Sequence, residues 1–308
     1  MLEVSLDPSS SFGDEPDRPA TAGQEGDAMP KHLTDAQVDH YRDRGYIAPL
    51  DLLTASEAAE ARAKLEAYEA ESGGPLGGAQ RAGGHLLWPW IDELMRHETL
   101  LDAVEDLIGP DILCWNSIFW IKEANSPSYV GWHQDLEYWG LDNDELVSAW
   151  IALSPASEAA GAMSVLPGSH RELLSHDETY HADNMLTRGQ ELKIDVSQRE
   201  VASMALEPGQ MSMHNVRLAH GSGPNTTDDR RIGISLQYMP TRTKQLLVDW
   251  DFATLVRGTD DYGNFELTPR PLSDFDPVAV EFHQRAGVAL RELLYQGAER
   301  PPERAPTL

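Results

Sequence analysis

The run Ile112-Leu113-Cys114-Trp115-Asn116-Ser117-Ile118-Phe119-Trp120-Ile121-Lys122 constrains the fold more than any other stretch. It is dense in β-branched and aromatic residues and bounded by turn formers, which predicts a strand covered on both faces. Strand-like runs continue at Tyr129 to Leu136, Leu146 to Leu153, Ala162 to Leu166, Val201 to Leu206, Gln210 to His214 and Arg231 to Met239. Short strands punctuated by Gly, Pro and Asn point to a β sandwich or barrel over about 111–240, not to a parallel α/β sheet.

Helical patterns precede this region, at Thr34 to Arg44, Thr54 to Glu71 and Glu93 to Ile108. The first two open on Thr34 with Gln37 and Thr54 with Glu57, the spacing of a capping box. Between them lies a short extended piece around Tyr46 to Leu50, and the Gly- and Pro-rich stretch at 72–84 reads as a loop. The polar insert from Arg171 to Arg199 has the length of a functional lid. After Pro240 the chain is expected to leave the barrel, ending in a helix from Asp276 to Gln296. Residues 1–28, rich in Ser, Pro, Gly and acids, are expected to be disordered, with Met29 a candidate start and 29–308 one domain.

Charge narrows the partners. The 51 acidic against 24 basic residues, a formal charge of -27, disfavour nucleic acid and anionic membrane, both of which would repel the chain. Cys114 is the single cysteine, so no internal disulfide forms and a reducing cytoplasm fits. No run is long and apolar enough to span a bilayer, and no phosphate-cradling glycine fingerprint lies between a strand and a helix.

Within the expected barrel, His133 and Asp135 stand two apart in Gly131-Trp132-His133-Gln134-Asp135. On a strand that spacing aims both side chains at one point, while Gln134 points away. Two histidines and a carboxylate on one face of a metal make a non-haem iron(II) site with open positions. Most of the eleven histidines lie in helices, loops or the insert, leaving His214 and His220 as candidates for the missing ligand. His220 ends an apolar run before Gly221-Ser222-Gly223, small residues that permit close approach. Eleven positions on, Arg231 shares a strand face with Gly233, Ser235 and Gln237, and its charge needs an anionic partner. Other readings stay open from residues alone: a His133–Asp135 pair that stiffens a strand, His214 in place of His220, or Arg230 in place of Arg231.

His133-Gln134-Asp135, Leu166-Pro167-Gly168-Ser169-His170 and His220-Gly221-Ser222-Gly223 followed by Arg231 closely resemble the phytanoyl-CoA dioxygenase family. The likeness runs from about Met29 to at least Met239 and includes Ser148-Ala149-Trp150-Ile151-Ala152-Leu153. It implies a mainly β fold with flanking helices, a cupin-like double-stranded β-helix or jelly roll. It implies iron(II) held by His133, Asp135 and His220, and 2-oxoglutarate paired to Arg231, with Ser222, Trp150 and Lys122 lining its pocket. The implied activity consumes molecular oxygen and 2-oxoglutarate, releases succinate and CO2, and hydroxylates a C–H bond of a small molecule. A carboxylate at Asp135, where related halogenases carry a small residue, argues for hydroxylation. Trp132, Tyr138, Trp139, the loop at 73–84 and the insert are candidates for the substrate wall. The alternatives from other classes are a metal-binding relative without turnover and a cupin-type isomerase or epimerase.

Overall fold

The computed structural model describes residues 30–298, so the expectations for 1–28 and for Met29 lie outside the described residues. Among the described residues thirteen strands follow in chain order: β1 (Tyr46–Asp51), β2 (Ile112–Lys122), β3 (Val130–His133), β4 (Val147–Ala152), β5 (Met163–Val165), β6 (His176–Glu178), β7 (Gln190–Leu192), β8 (Ala202–Met204), β9 (Gln210–Asn215), β10 (His220–Ser222), β11 (Arg231–Pro240), β12 (Phe252–Arg257) and β13 (Glu266–Leu267). They form a seven-stranded sheet ordered β1-β9-β4-β11-β2-β12-β13, a four-stranded sheet ordered β3-β10-β5-β8, and a separate β6-β7 pair. The two larger sheets are those of a double-stranded β-helix, and nearly all pairings within them are antiparallel.

Period-two alternation divides the large sheet by function. On β4 and β11 one set, Val147, Ala149, Ile151, Ile232, Ile234, Leu236 and Tyr238, packs in the main core with Leu65, Ile91, Leu100 and Val104 of the N-terminal helices. Each such Leu, Ile or Val contributes about 1.5–3 kcal/mol of burial. The alternate set, Ser148 and Trp150 on β4 and Arg231, Ser235 and Gln237 on β11, faces a cavity between the sheets. The helices thus seal one face of the sheet and leave the other for chemistry.

The capping signals hold: Gln37 N donates to Thr34 Oγ1 at 3.3 Å and Glu57 N to Thr54 Oγ1 at 3.2 Å, opening helices at Asp35–Arg44 and Ala55–Ser72. The C-terminal helix spans Pro277–Leu294, capped by Asp276. Three expectations need correction. The helix expected over 93–108 is two, Pro89–Met95 and Glu98–Ile108, because Pro89 starts the first at N1 and His97 adopts φ -58, ψ 127 between them. The stretch at 72–84 includes a helical turn, Gly78–Arg81. The chain also returns to the barrel after Pro240: β12 pairs with β2 through Thr254 with Cys114 and Leu255 with Leu113, covering an edge that β2 would otherwise expose.

Candidate active site

His133 and His220 are direct cross-strand partners on β3 and β10, and their rings meet inside the barrel with centroids 4.1 Å apart. Each ring is fixed by its own chain: His133 Nδ1 lies 2.9 Å from Gly131 O, and His220 Nδ1 lies 2.9 Å from Leu218 O. A proton on Nδ1, given to a carbonyl, leaves the Nε2 lone pair free for a metal. Burial lowers the His220 imidazole well below its ordinary value, so it is neutral at pH 7.

Asp135 reaches the same point by a different route from the one its spacing suggests. Strand β3 stops at His133, and Asp135 adopts helical φ -65, ψ -45 as the cap of a one-turn helix, Leu136–Trp139. Val216 O pins this turn by accepting from Asp135 N at 3.1 Å and Leu136 N at 3.3 Å, tying it to the segment that leads into His220. Asp135 Oδ1 lies 3.2 Å from His133 Nε2 and 3.9 Å from His220 Nε2. Burial works against its ionised form, but the imidazoles of His220, His133 and His214 outweigh it and hold the carboxyl down at about 2. These three side chains offer ligand atoms within 4.8 Å of one another, a set that fits a divalent metal with two nitrogen donors and one oxygen.

A second focus lies along β11. Arg231, 2% exposed, donates from Nη1 to Gly161 O at 3.1 Å and sits 5.2 Å from the Trp150 ring, and its Nε has no partner. Its cross-strand neighbour Lys122 is fully buried and donates to Ser222 Oγ at 2.7 Å and to Gly223 O. Among the described residues neither side chain meets a carboxylate. Burial, with Arg231 beside it, pushes the Lys122 ammonium down to about 6, and burial pushes the Arg231 guanidinium down to about 10. The buried guanidinium is costly without an anion, and burial largely discharges the lysine beside it at neutral pH; an anion that joined them would favour the charged form of both. Arg230, the off-by-one alternative, turns outward and is consumed by Glu69 at 2.7 Å and Glu123 at 2.9 Å.

The cavity joins the two foci. Ser222, Trp150, Tyr138 and Trp139 line it, together with Leu186 and Gln190 of the insert and Leu294 of the C-terminal helix. Asp135 is the only carboxylate among the described lining residues. Trp132 is not brought to it: the alternation that turns His133 inward turns Trp132 outward, against Leu166, Leu192 and Ala219. The 73–84 loop does not contribute to the lining either. Gln134 stays away from the cavity, held by donating to Glu172 O at 2.9 Å and Arg217 O at 2.6 Å. His214 is the residue whose position spacing did not reveal. It lies beside the triad, with its Nε2 3.9 Å from Asp135 Oδ2 and outside the three-residue metal set.

The chain is similar to known proteins in sequence and in fold. The family profile of phytanoyl-CoA dioxygenase (PhyH) matches residues 41–233. A probable alpha-ketoglutarate-dependent hypophosphite dioxygenase of Stutzerimonas stutzeri is 31% identical over 186 residues, 59% of this chain and 60% of that protein. An ectoine dioxygenase of Streptomyces avermitilis is 23% identical over 265 residues, 78% of this chain and 89% of that protein. Among solved structures, the non-heme monooxygenase ThoJ in its apo form superposes with a TM-score of 0.75 at 34% identity, covering 84% of this chain and 98% of that one.

Proposed function

Because the chain belongs to the phytanoyl-CoA dioxygenase family, we propose that it is an iron(II)- and 2-oxoglutarate-dependent oxygenase that hydroxylates a C–H bond of a small molecule. The observation that carries this reading is a three-donor metal set and the buried Arg231 guanidinium, which meets no carboxylate among the described residues, lining one cavity, with Lys122 paired across the strands to Arg231. In this reading His133, His220 and Asp135 hold the metal. Arg231 forms a bidentate pair with the distal carboxylate of the co-substrate, Lys122 and Ser222 add charge and a hydroxyl, and Trp150 walls the aliphatic middle. Iron, when bound, supplies the activation of oxygen that couples oxidation of 2-oxoglutarate to succinate and CO2 with oxidation of the substrate.

The rest of the cavity positions the substrate and excludes water. Tyr138, Trp139, Leu186 and Leu294 supply apolar lining, and Ser148, Gln237 and Gln190 offer neutral hydrogen-bonding groups. Among the described lining residues no carboxylate other than Asp135 would meet a substrate there, which favours a neutral or anionic small molecule. A carboxylate at position 135 fills the coordination position a halide would need, which favours hydroxylation over halogenation. The test is succinate formation from 2-oxoglutarate in the presence of Fe(II) and oxygen. Succinate that depends on all three is expected. A metal-loaded protein that forms none with any screened substrate would favour the relative without turnover, and a redox-neutral product would favour the isomerase.

A further inference from the structure

His214 is a buried polar side chain that nothing in the site described above uses. It is 2% exposed, and neither of its ring nitrogens has a hydrogen-bond partner. Leaving such a group unsatisfied costs about 1–3 kcal/mol. Ser148, its cross-strand neighbour on β4, is also unpartnered, so the two do not satisfy each other. What the ring does face is the metal set. Its centroid is 4.6 Å from that of His220, and its Nε2 is 3.9 Å from Asp135 Oδ2, the carboxylate oxygen turned away from His133.

We propose that His214 is a positioning residue, which donates from Nε2 to Asp135 Oδ2 so that Asp135 meets the metal through Oδ1 alone. The inference rests on reading the triad as an iron site. The 3.9 Å gap is too long for a hydrogen bond, and rotating the carboxylate by about 1 Å of oxygen travel closes it. An imidazole in either protonation state has an N–H to give, so the arrangement needs no titration. Its consequence is a matter of counting. Three protein donors and a chelating co-substrate leave one position of six for oxygen, and a carboxylate that took two positions would block it. Losing a partner that orients a metal's ligand typically costs about 10- to 100-fold in metal affinity or activity.

The experiment titrates nitric oxide, a probe that takes oxygen's position, into anaerobic protein loaded with Fe(II) and 2-oxoglutarate, for wild type, His214→Leu and His214→Gln. Thermal melts accompany it. Both variants should fold, because the residue they replace has no partner to lose. His214→Leu should bind nitric oxide about tenfold more weakly or worse, and His214→Gln, which retains a donor at the Nε2 position, should return toward wild type. A crystal structure of metal-loaded His214→Leu should show Asp135 turned to offer both oxygens. Wild-type affinity in His214→Leu would overturn the proposal, as would equal loss in both variants, which marks a packing role. A wild-type protein that takes up no Fe(II) would instead overturn the iron reading, and this inference with it.

Discussion

Replacing Arg231 by Met separates a residue that waits for a ligand from one that holds the fold. A guanidinium held at about 10 in place of its ordinary 12.5 carries about 3 kcal/mol of uncompensated desolvation, at 1.36 kcal/mol for each tenfold change in proton affinity. Against this stand the hydrogen bond to Gly161 O and the contact with the Trp150 ring, worth about 1.5–3 and 0.5–2 kcal/mol. The two sides nearly cancel. Metal-free Arg231→Met should therefore unfold in urea within about 1 kcal/mol of wild type, where loss of one member of a satisfied buried ion pair costs about 3–5 kcal/mol. Affinity for 2-oxoglutarate, measured by calorimetry on anaerobic metal-loaded protein, should nonetheless fall roughly 150- to 5,000-fold, the same 3–5 kcal/mol now lost from the complex. A destabilised fold with unchanged 2-oxoglutarate affinity would refute the reasoning.

Gly233 shares the inner face of β11 with Arg231, and a β-carbon there would lie 2.0 Å from Trp150 Cζ2 and 2.4 Å from Cη2. Gly233→Ala should cost about 1–3 kcal/mol in urea unfolding and weaken 2-oxoglutarate binding by moving that ring; unaltered values for both would count against the packing described. Lys122 has a folded value of about 6, below the 10.5 of an unfolded lysine, so between these values the unfolded chain holds the extra proton and this group makes stability rise with pH. The co-substrate-free wild type should therefore gain more stability from pH 7 to pH 9 than Lys122→Met does, and identical pH slopes would contradict it. Arg188 ties the insert to the end of the C-terminal helix, donating to Leu294 O at 2.5 Å, Gln296 O at 2.7 Å and Glu178 at 2.7 Å. Arg188→Ala should speed amide hydrogen exchange across β6, β7 and the last helical turn by about 3 kcal/mol of local stability, while unchanged protection there would mean the tie is unimportant.

What was legible in the sequence was local. The alternation of Val147 to Ala152 and Arg231 to Pro240 marks two strands with one apolar and one functional face, and Thr34, Thr54 and Asp276 mark helix starts by their caps. The features it hid depend on long-range pairing. Asp135 was expected on a strand, yet the Leu136-Glu137-Tyr138-Trp139 turn ending at Gly140, with its φ of +65°, carries a helical signal that the strand pattern masks. Trp132 shows that an aromatic beside a ligand need not share its face, since period-two alternation separates neighbours. His214 stands in the sequence only as a rival to His220. Its place opposite Asp135 follows from the register of β9 on β4, Ser148 against His214, which no spacing encodes. The return of β12 was missed because a strand of six residues, half-buried at its end, lacks the long apolar run that marks β2.

The central claim is that His133, Asp135 and His220 form one metal site facing the Arg231 pocket. Anomalous diffraction at the iron edge, on crystals grown anaerobically with Fe(II) and 2-oxoglutarate, tests it most directly. The account predicts a single peak within bonding distance of His133 Nε2, His220 Nε2 and Asp135 Oδ1, with the 2-oxoglutarate chain running from it to Arg231. Iron bound through other residues, or 2-oxoglutarate with its distal carboxylate away from Arg231, would contradict it.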